Sequence, residues 1–298
     1  MIDIKLLEQL CLCNGISGDE GNVRNLIINE IKDCADDIKT DNLGNLIVFK
    51  KGKKSAKSKL MVSAHMDEVG LMVTDITSDG YLKFDEVGGI DRRVLPGKRV
   101  CVGRNGLNGV IGVKPIHLTN GDEKTAVPKM NDMYIDIGAE SREDALKYVN
   151  YGDSINFEGD FKINGKTVVT KALDDRFGCY VLINLIKSEP EYDMYFTFVV
   201  QEEVGLRGAR PAAFTVNPDF ALVIESTTAA DVAEVDASHQ VCNLSKGATV
   251  TVMDRATVYD KEMISAAFEL AEKNNIAVQY KRAVAGGNDS GAIHQSRG

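Results

Sequence analysis

Apolar side chains near the start of the chain recur at helical spacing and then give way to two strand-like runs. Residues 3–13 place leucine or isoleucine every three or four positions, which predicts an amphipathic helix. Ser17-Gly18-Asp19-Glu20 matches a capping box and predicts the start of a second helix. The runs 45–50 and 60–64 are mostly apolar, as expected for strands inside a sheet.

The pattern changes between residues 69 and 163, where short alternating stretches are separated by Gly, Asp and Asn turns. Many short strands at this spacing, with one short helix near 143–149, are typical of a small all-β barrel or sandwich. From about residue 164, apolar strands alternate with helices, which indicates a mostly parallel sheet flanked by helices. We therefore predict an α/β domain formed by 1–68 and 164–298, interrupted by a β-rich domain at 69–163.

Composition and charge exclude several classes of protein. The chain has 298 residues with 44 acidic and 35 basic side chains, which gives a net charge of -9. Because phosphate binding needs a basic surface, we expect no nucleic-acid partner. Residues 1–5 do not resemble a signal peptide and no apolar run has membrane-spanning length, so we expect a cytoplasmic protein with no membrane partner. The six cysteines lack disulfide-framework spacing and are interpreted as free thiols.

Acidic and imidazole side chains follow the ends of the predicted strands. His65 closes the first sheet-centre run, and Asp67 is well placed in sequence to accept a hydrogen bond from its ring. Glu202 and Glu203 follow a second buried strand, and Glu225 ends a third. Like charges at the carboxyl edge of a sheet repel each other unless a cation or a proton holds them. The sequence therefore predicts a ligand site at this edge.

Two further segments carry candidate residues. Asp174 and Asp175 stand at a predicted helix start, where they could cap the helix or contribute to the site. Residues 286–294 contain paired glycines, Asp289 and His294. Asp289 is interpreted as a structural hydrogen-bonder or as a residue that contacts the metal ligands. Imidazole nitrogen combined with carboxylate oxygens suits zinc, cobalt or manganese, whereas an all-oxygen magnesium site needs no histidine.

Four segments, in this order, closely resemble the signature of the M42 family of metallo-aminopeptidases. They are SAHMDEVG from residue 63, KALDDR from 171, QEEVGLRGA from 201 and GGNDSGAIH from 286. The family comprises the tetrahedral TET and glutamyl-aminopeptidase-like enzymes, some of which carry an endoglucanase label. The resemblance implies a zinc-peptidase-like α/β domain with a β-barrel insert. It also implies an enzyme that hydrolyses the N-terminal residue from peptide substrates.

The resemblance further implies two divalent metal ions per subunit, Zn²⁺ or Co²⁺, held by four side chains: His65, Asp174, Glu203 and Glu225. His65 and Glu225 would bind one ion, Glu203 would bind the other, and Asp174 would bridge them. Many relatives have Asp where this chain has Glu225. Since aspartate and glutamate both offer carboxylate oxygens, we expect Glu225 to change the geometry of the metal site modestly but not to prevent metal binding.

The remaining implied features are catalytic groups and assembly. Glu202 would be the general base that takes a proton from a metal-activated water, and Asp67 would orient His65. A homo-oligomer is also implied, either a dimer or a dodecamer. The alternatives are a glycoside hydrolase using paired carboxylates and a catalytically silent, truncated metal-binding protein. The chain contains no Trp, whereas sugar-binding clefts commonly use aromatic platforms.

The family continues past residues 286–294 into another strand and helix, which carry its last metal-binding His. This chain ends at Gly298, so we expect that its C-terminus is truncated and that this ligand is missing. The metal ion on Glu203 would then be the more weakly bound of the two. His294 is not expected to replace the missing ligand.

Overall fold

The computed structural model describes residues 3–296, with the side chains of residues 122 and 123 left out. The first segment contains the elements α1 (Ile4–Leu12), α2 (Gly21–Ile31), β1 (Asp37–Thr40), β2 (Leu46–Lys50) and β3 (Leu60–His65). Both helices bury one apolar stripe, as their spacing predicts. Strand β3 is buried from its second residue to its last, which agrees with its apolar sequence.

The predicted capping box at the start of α2 does not form. No side chain caps this helix. Ser17 Oγ donates instead to a carboxylate oxygen of Asp67 at 2.6 Å, and Glu20 Oε1 accepts from the N–H groups of Gly18 and Gln201. The prediction was wrong because partners distant in sequence compete for the same side chains.

Residues 70–157 form a closed six-stranded barrel with the strand order β4-β5-β8-β7-β6-β9. Its elements are β4 (Gly70–Ile76), β5 (Leu82–Val87), β6 (Arg99–Val102), β7 (Leu107–Val113), β8 (Met133–Asp136), α3 (Arg142–Ala145) and β9 (Ser154–Phe157). Inward-facing aliphatic side chains such as Leu71 and Ile135 fill the barrel. Of the two architectures that the strand pattern left open, the structure has the barrel.

The last segment begins with the hairpin β10 (Lys162–Asn164) and β11 (Thr167–Val169). Its other elements are α4 (Leu173–Lys187), β12 (Met194–Val199), α5 (Ala209–Val216), β13 (Phe220–Val223), β14 (Ala248–Val250), α6 (Lys261–Lys273), β15 (Val278–Tyr280) and α7 (Ser290–Ile293). The predicted domain boundary between residues 163 and 164 falls inside the hairpin, so the domain limits stay a prediction. None of the helices within residues 3–296 is long and apolar enough to cross a membrane.

Five strands form the main sheet in the order β1-β2-β12-β3-β13. Strand β3 pairs parallel with β12 and β13, whereas β2 pairs antiparallel with β1 and β12. Strands β14 and β15 pair parallel with each other, apart from this sheet. The α/β class is confirmed. The main sheet contains both parallel and antiparallel pairs, which the sequence pattern does not reveal, because an apolar run predicts a buried strand but neither its partner nor its direction.

Two helix layers enclose the main sheet. Helices α1, α2 and α4 pack on one face, and α5 and α7 pack on the other. Adjacent residues of β3 alternate between them, with Val62 in the first layer and Met61 in the second. Phe196 and Phe198 of β12 are completely buried, and burying each side chain contributes about 1.5–3 kcal/mol. The residues that follow β3, β12 and β13 consequently lie along one firmly held edge.

Candidate active site

The predicted site residues converge at the carboxyl edge of the main sheet. His65, the last residue of β3, lies opposite Val199 of β12. Its Nε2 atom is 3.2 Å from Oδ1 of Asp174 and 3.5 Å from Oε1 of Glu225. The ligand atoms of these three side chains all lie within 4.8 Å of one another. His65 thus forms one group with two residues that lie more than 100 positions after it in the chain.

A second group shares the same histidine. Potential ligand atoms of His65, Glu202 and Glu203 also lie within 4.8 Å of one another. Both glutamates are half-buried, whereas His65 is almost completely buried. The four predicted metal ligands and the predicted base therefore surround one imidazole.

The carboxylate of Asp67 connects this imidazole to the loop that carries the two glutamates. It is completely buried and accepts the backbone N–H groups of Glu202 at 3.0 Å and Glu203 at 3.2 Å. Oδ1 of Asp67 lies 3.5 Å from Nδ1 of His65, and the backbone oxygen of Asp67 lies 3.1 Å from the same nitrogen. The hydroxyl of Ser17 donates to Oδ2. One buried carboxylate thus positions three of the gathered residues.

The loop after β12 turns sharply at Gln201. This residue has a φ of 56°, in the left-handed region, which costs a non-glycine residue about 1–2 kcal/mol. Its N–H donates to Oε1 of Glu20 at 3.1 Å, and the preceding N–H of Val200 donates to Oδ1 of Asn45 at 3.0 Å. These bonds hold the turn that brings the next two N–H groups to Asp67.

The two adjacent aspartates at the start of α4 have different roles. Both have non-helical dihedral angles, and a cis peptide bond joins them. Asp175 is buried and accepts the N–H of Gly178 at 3.1 Å, as a helix cap does. Asp174 has 57% of its side chain exposed and faces His65. The capping interpretation is therefore correct for Asp175 alone, and Asp174 belongs to the site.

Burial and charge shift the pKa values of the gathered groups. Burial raises the pKa of Glu202 to about 8 and that of Glu203 to about 7, and neighbouring carboxylates add to both shifts. Burial by itself would lower the pKa of His65, but hydrogen bonds to the surrounding carboxylates raise it well above its usual value. A cluster with this excess of carboxylates retains protons unless another cation replaces them.

The donor set fits a divalent metal ion. Imidazole nitrogen and carboxylate oxygen are ligands that zinc and cobalt accept. Metal binding requires these ligands in their deprotonated forms, so a cation would take the place of the retained protons. The sheet edge therefore carries a histidine and carboxylate site that could hold metal.

Two other candidates from the sequence do not join these groups. His294 is exposed, and its Nε2 atom lies 3.2 Å from the backbone oxygen of Ala256. Asp289 is completely buried, yet neither carboxylate oxygen has a hydrogen-bond partner within residues 3–296. Burial raises the pKa of Asp289 to about 7. The expectation that its side chain is a structural hydrogen-bonder is therefore wrong for the described chain.

Comparisons with known proteins identify the family of this chain. The sequence profile of the M42 glutamyl aminopeptidase family matches residues 44–298. The chain belongs to this family. Membership makes the protein a hydrolase that acts on peptides, which confirms the predicted enzyme class.

Individual M42 proteins are similar over nearly the whole chain. A candidate aminopeptidase of Acetivibrio thermocellus is 44% identical over 295 residues, which cover 98% of this chain and 86% of the relative. The lysyl aminopeptidase of Pyrococcus furiosus is 34% identical over 292 residues, covering 94% of this chain and 81% of the relative. The TET1 peptidase of Pyrococcus horikoshii, which can assemble into a tetrahedron or a large octahedral shell, has a TM-score of 0.85 and 40% identity. That comparison covers 98% of this chain and 87% of the other.

Sequence reasoning missed several residues that support the M42 site. Ser17 and Glu20 were assigned to a helix cap, and Arg176 had no role beyond its place in a motif. Arg176 is completely buried and donates to the backbone oxygen of Met66, between His65 and Asp67. The available signal was an arginine directly after the paired aspartates. A guanidinium group has five N–H donors, so an arginine buried there would need several acceptors around it.

Replacing Ser17 with Ala should weaken metal binding about 10- to 100-fold. The change removes the hydroxyl donor to Asp67, and a lost hydrogen bond to a charged group costs about 1.5–3 kcal/mol. Isothermal titration of the metal-free protein with Zn²⁺ measures the affinity, and urea unfolding measures the stability. Ser154→Ala is the matched control, because Ser154 Oγ donates at 2.7 Å to Asp19, which lies outside the site. Equal metal affinity in the two variants would show that Ser17 has no influence on the site.

Proposed function

We propose that this M42 protein is a dinuclear, metal-dependent aminopeptidase that removes the first residue of peptides. The observation that supports this most directly is the meeting of His65 with two groups of carboxylates at one sheet edge. His65, Asp174, Glu203 and Glu225 would hold the two ions. The bound ions, Zn²⁺ or Co²⁺, would supply Lewis acidity and lower the pKa of water.

Glu202 is proposed as the general base. It belongs to the second group, so its carboxylate lies beside the proposed ligands and within reach of a water molecule held there. A carboxylate oxygen of Glu202 takes the proton of the attacking water and later returns it to the leaving amine. Asp67 contributes by holding both His65 and the backbone N–H of Glu202 in place.

Family membership and the carboxylates at the sheet edge support the removal of residues from chain ends. A substrate's α-ammonium group is attracted to the carboxylates, whereas an internal peptide bond offers no such charge. The family name refers to glutamyl residues and the P. furiosus relative is a lysyl aminopeptidase, so family membership leaves the preferred first residue open.

Assembly and compartment complete the proposal. We propose a homo-oligomer, a dimer or a dodecamer, which the assembly of the P. horikoshii peptidase supports. The six cysteines are free, and this supports a reducing, cytoplasmic environment. Light scattering of the purified protein measures the subunit number.

Chelation should abolish peptidase activity, and added metal should restore it. We expect EDTA to stop the hydrolysis of aminoacyl-p-nitroanilides and Zn²⁺ or Co²⁺ to recover it in two binding steps. The ion on Glu203 should bind more weakly than the other ion. Among the described residues of its group, His65 also belongs to the other group and Glu202 is the proposed base, so Glu203 is the remaining ligand. Metal titration with activity as the readout checks this. Cellulose hydrolysis that survives EDTA would instead support the glycosidase alternative, which uses paired carboxylates.

A further inference from the structure

The loop 200–208 is closed at its base by one amide side chain. Asn45 lies directly before β2 and is completely buried. Because β2 pairs antiparallel with β12, a residue just before β2 lies beside the residues at the end of β12. Oδ1 of Asn45 accepts the N–H of Val200 at 3.0 Å, and its Nδ2 donates to the backbone oxygen of Gly208 at 2.9 Å. The amide of Asn45 therefore connects the two ends of the loop.

The residues at this base are tightly packed. The N–H of Gly208 donates to the backbone oxygen of Val200 at 3.0 Å, so these residues are joined both directly and through Asn45. A Cβ atom at position 208 would collide with that backbone oxygen and with Oδ1 of Asn45. Nδ2 of Asn45 also donates to Oδ2 of Asp41 at 2.7 Å. Both N–H groups of the amide are thus used, which fixes its orientation.

Backbone hydrogen bonds inside the loop connect its base to Glu202. The N–H of Arg207 donates to the backbone oxygen of Gln201 at 3.1 Å. The N–H groups of Gly205 and Leu206 both donate to the backbone oxygen of Glu202, each at 2.9 Å. Gln201 has a left-handed φ of 56°, and such a conformation persists only where surrounding contacts over-determine it. A shift at the base of the loop would therefore move the backbone of Glu202.

We propose, building on the aminopeptidase function above, that Asn45 is a positioning residue, whose amide holds the loop so that Glu202 reaches the attacking water and Glu203 reaches a metal ion. Asn45 belongs to neither group of site residues and acts through the backbone of the loop. A misplacement of about 1 Å can cost about 10²-fold in rate, and residues that support metal ligands contribute about 10- to 100-fold. The alternative role is local, because Asn45 could simply stabilise the turn between β1 and β2 through Asp41.

Exchanging the two side chains, Asp41→Asn together with Asn45→Asp, separates these roles. The amide introduced at position 41 can donate to the carboxylate introduced at position 45, so the contact within the turn is restored. The new carboxylate can still accept the N–H of Val200, but it has no donor for Gly208 and repels its backbone oxygen. Asn45→Asp alone brings two carboxylates together and should lower the urea midpoint, which the exchange should largely recover.

Three measurements on the exchanged protein test the proposal. At saturating Zn²⁺, kcat for the aminoacyl-p-nitroanilide that the unaltered protein cleaves fastest should fall about 10- to 100-fold with little change in KM. Calorimetry should show the weaker of the two Zn²⁺ binding steps reduced by a similar factor. Amide hydrogen exchange within residues 200–208 should be faster by up to about 10-fold, as expected for one lost hydrogen bond. Asn184→Asp is the matched control, because Asn184 Nδ2 donates to the backbone oxygen of Tyr180 at 2.7 Å, outside this loop.

The outcomes distinguish the role of Asn45 from the aminopeptidase function. Unchanged kcat and zinc affinity in the exchanged protein would overturn the role of Asn45 and leave the function intact, even if hydrogen exchange in the loop became faster. Losses that occur in Asn45→Asp alone and that the exchange repairs would assign Asn45 to the turn only and also overturn the proposal. No hydrolysis by the unaltered protein would overturn the function, and zinc affinity with hydrogen exchange would then decide whether Asn45 positions the loop.

Discussion

Glu202→Gln should lower kcat about 10²- to 10⁴-fold while metal content and fold stay unchanged. Glutamine has nearly the same shape as glutamate but cannot accept the proton of the attacking water. Because the proton is transferred in the transition state, kcat and kcat/KM should fall by equal factors. Steady-state kinetics with aminoacyl-p-nitroanilides, elemental metal analysis and circular dichroism measure the three quantities.

Glu189→Gln is the control for the charge change, since the Glu189 side chain is 86% exposed and belongs to neither group of site residues. It should leave kcat unchanged. Loss of bound metal in Glu202→Gln would identify Glu202 as a ligand and not the base. Full activity with metal bound would remove Glu202 from the mechanism altogether.

Arg176→Met should destabilise the protein by about 3–5 kcal/mol, the cost of breaking a buried charged network. The guanidinium is completely buried and donates to four backbone oxygens and to Glu68. The four backbone acceptors are Leu10, Cys13, Gly15 and Met66. Methionine fills much of the volume but cannot donate a hydrogen bond to any of these acceptors. Because domains are stable by only about 5–15 kcal/mol, the loss should be visible as a large fall in the urea midpoint.

Lys187→Met provides the comparison on the same helix. Lys187 pairs with Glu30, but both side chains are about one-third exposed, and such surface pairs contribute at most about 1 kcal/mol. Similar small losses in both variants would mean that the Arg176 network stabilises the fold no more than a surface ion pair. A large loss confined to Arg176→Met would show that the end of α1 and the segment after His65 depend on one side chain.

The sequence predicted part of the site because His65 ends one buried strand and Glu202 follows another. His65 ends the apolar run of β3, and Glu202 closely follows the apolar run of β12. Parallel strand ends meet at one edge, so side chains after them converge even when they are far apart in sequence. Site residues were missed where a nearby feature, such as a helix start, already accounted for their position in the sequence. Ser17 matched a helix cap, and nothing near it in sequence indicates that its partner is Asp67, 50 positions away.

By itself, the sequence determined the order of most helices and strands, the β-rich segment, the family and the acidic edge. These features follow from side-chain period and from short motifs, which depend on backbone geometry within a few residues. The tertiary structure alone decided that β2 runs antiparallel to β12 and that Ser17 donates to Asp67 instead of capping its own helix. Those outcomes depend on contacts between distant segments, and local patterns of polarity carry no information about which distant partner a residue meets.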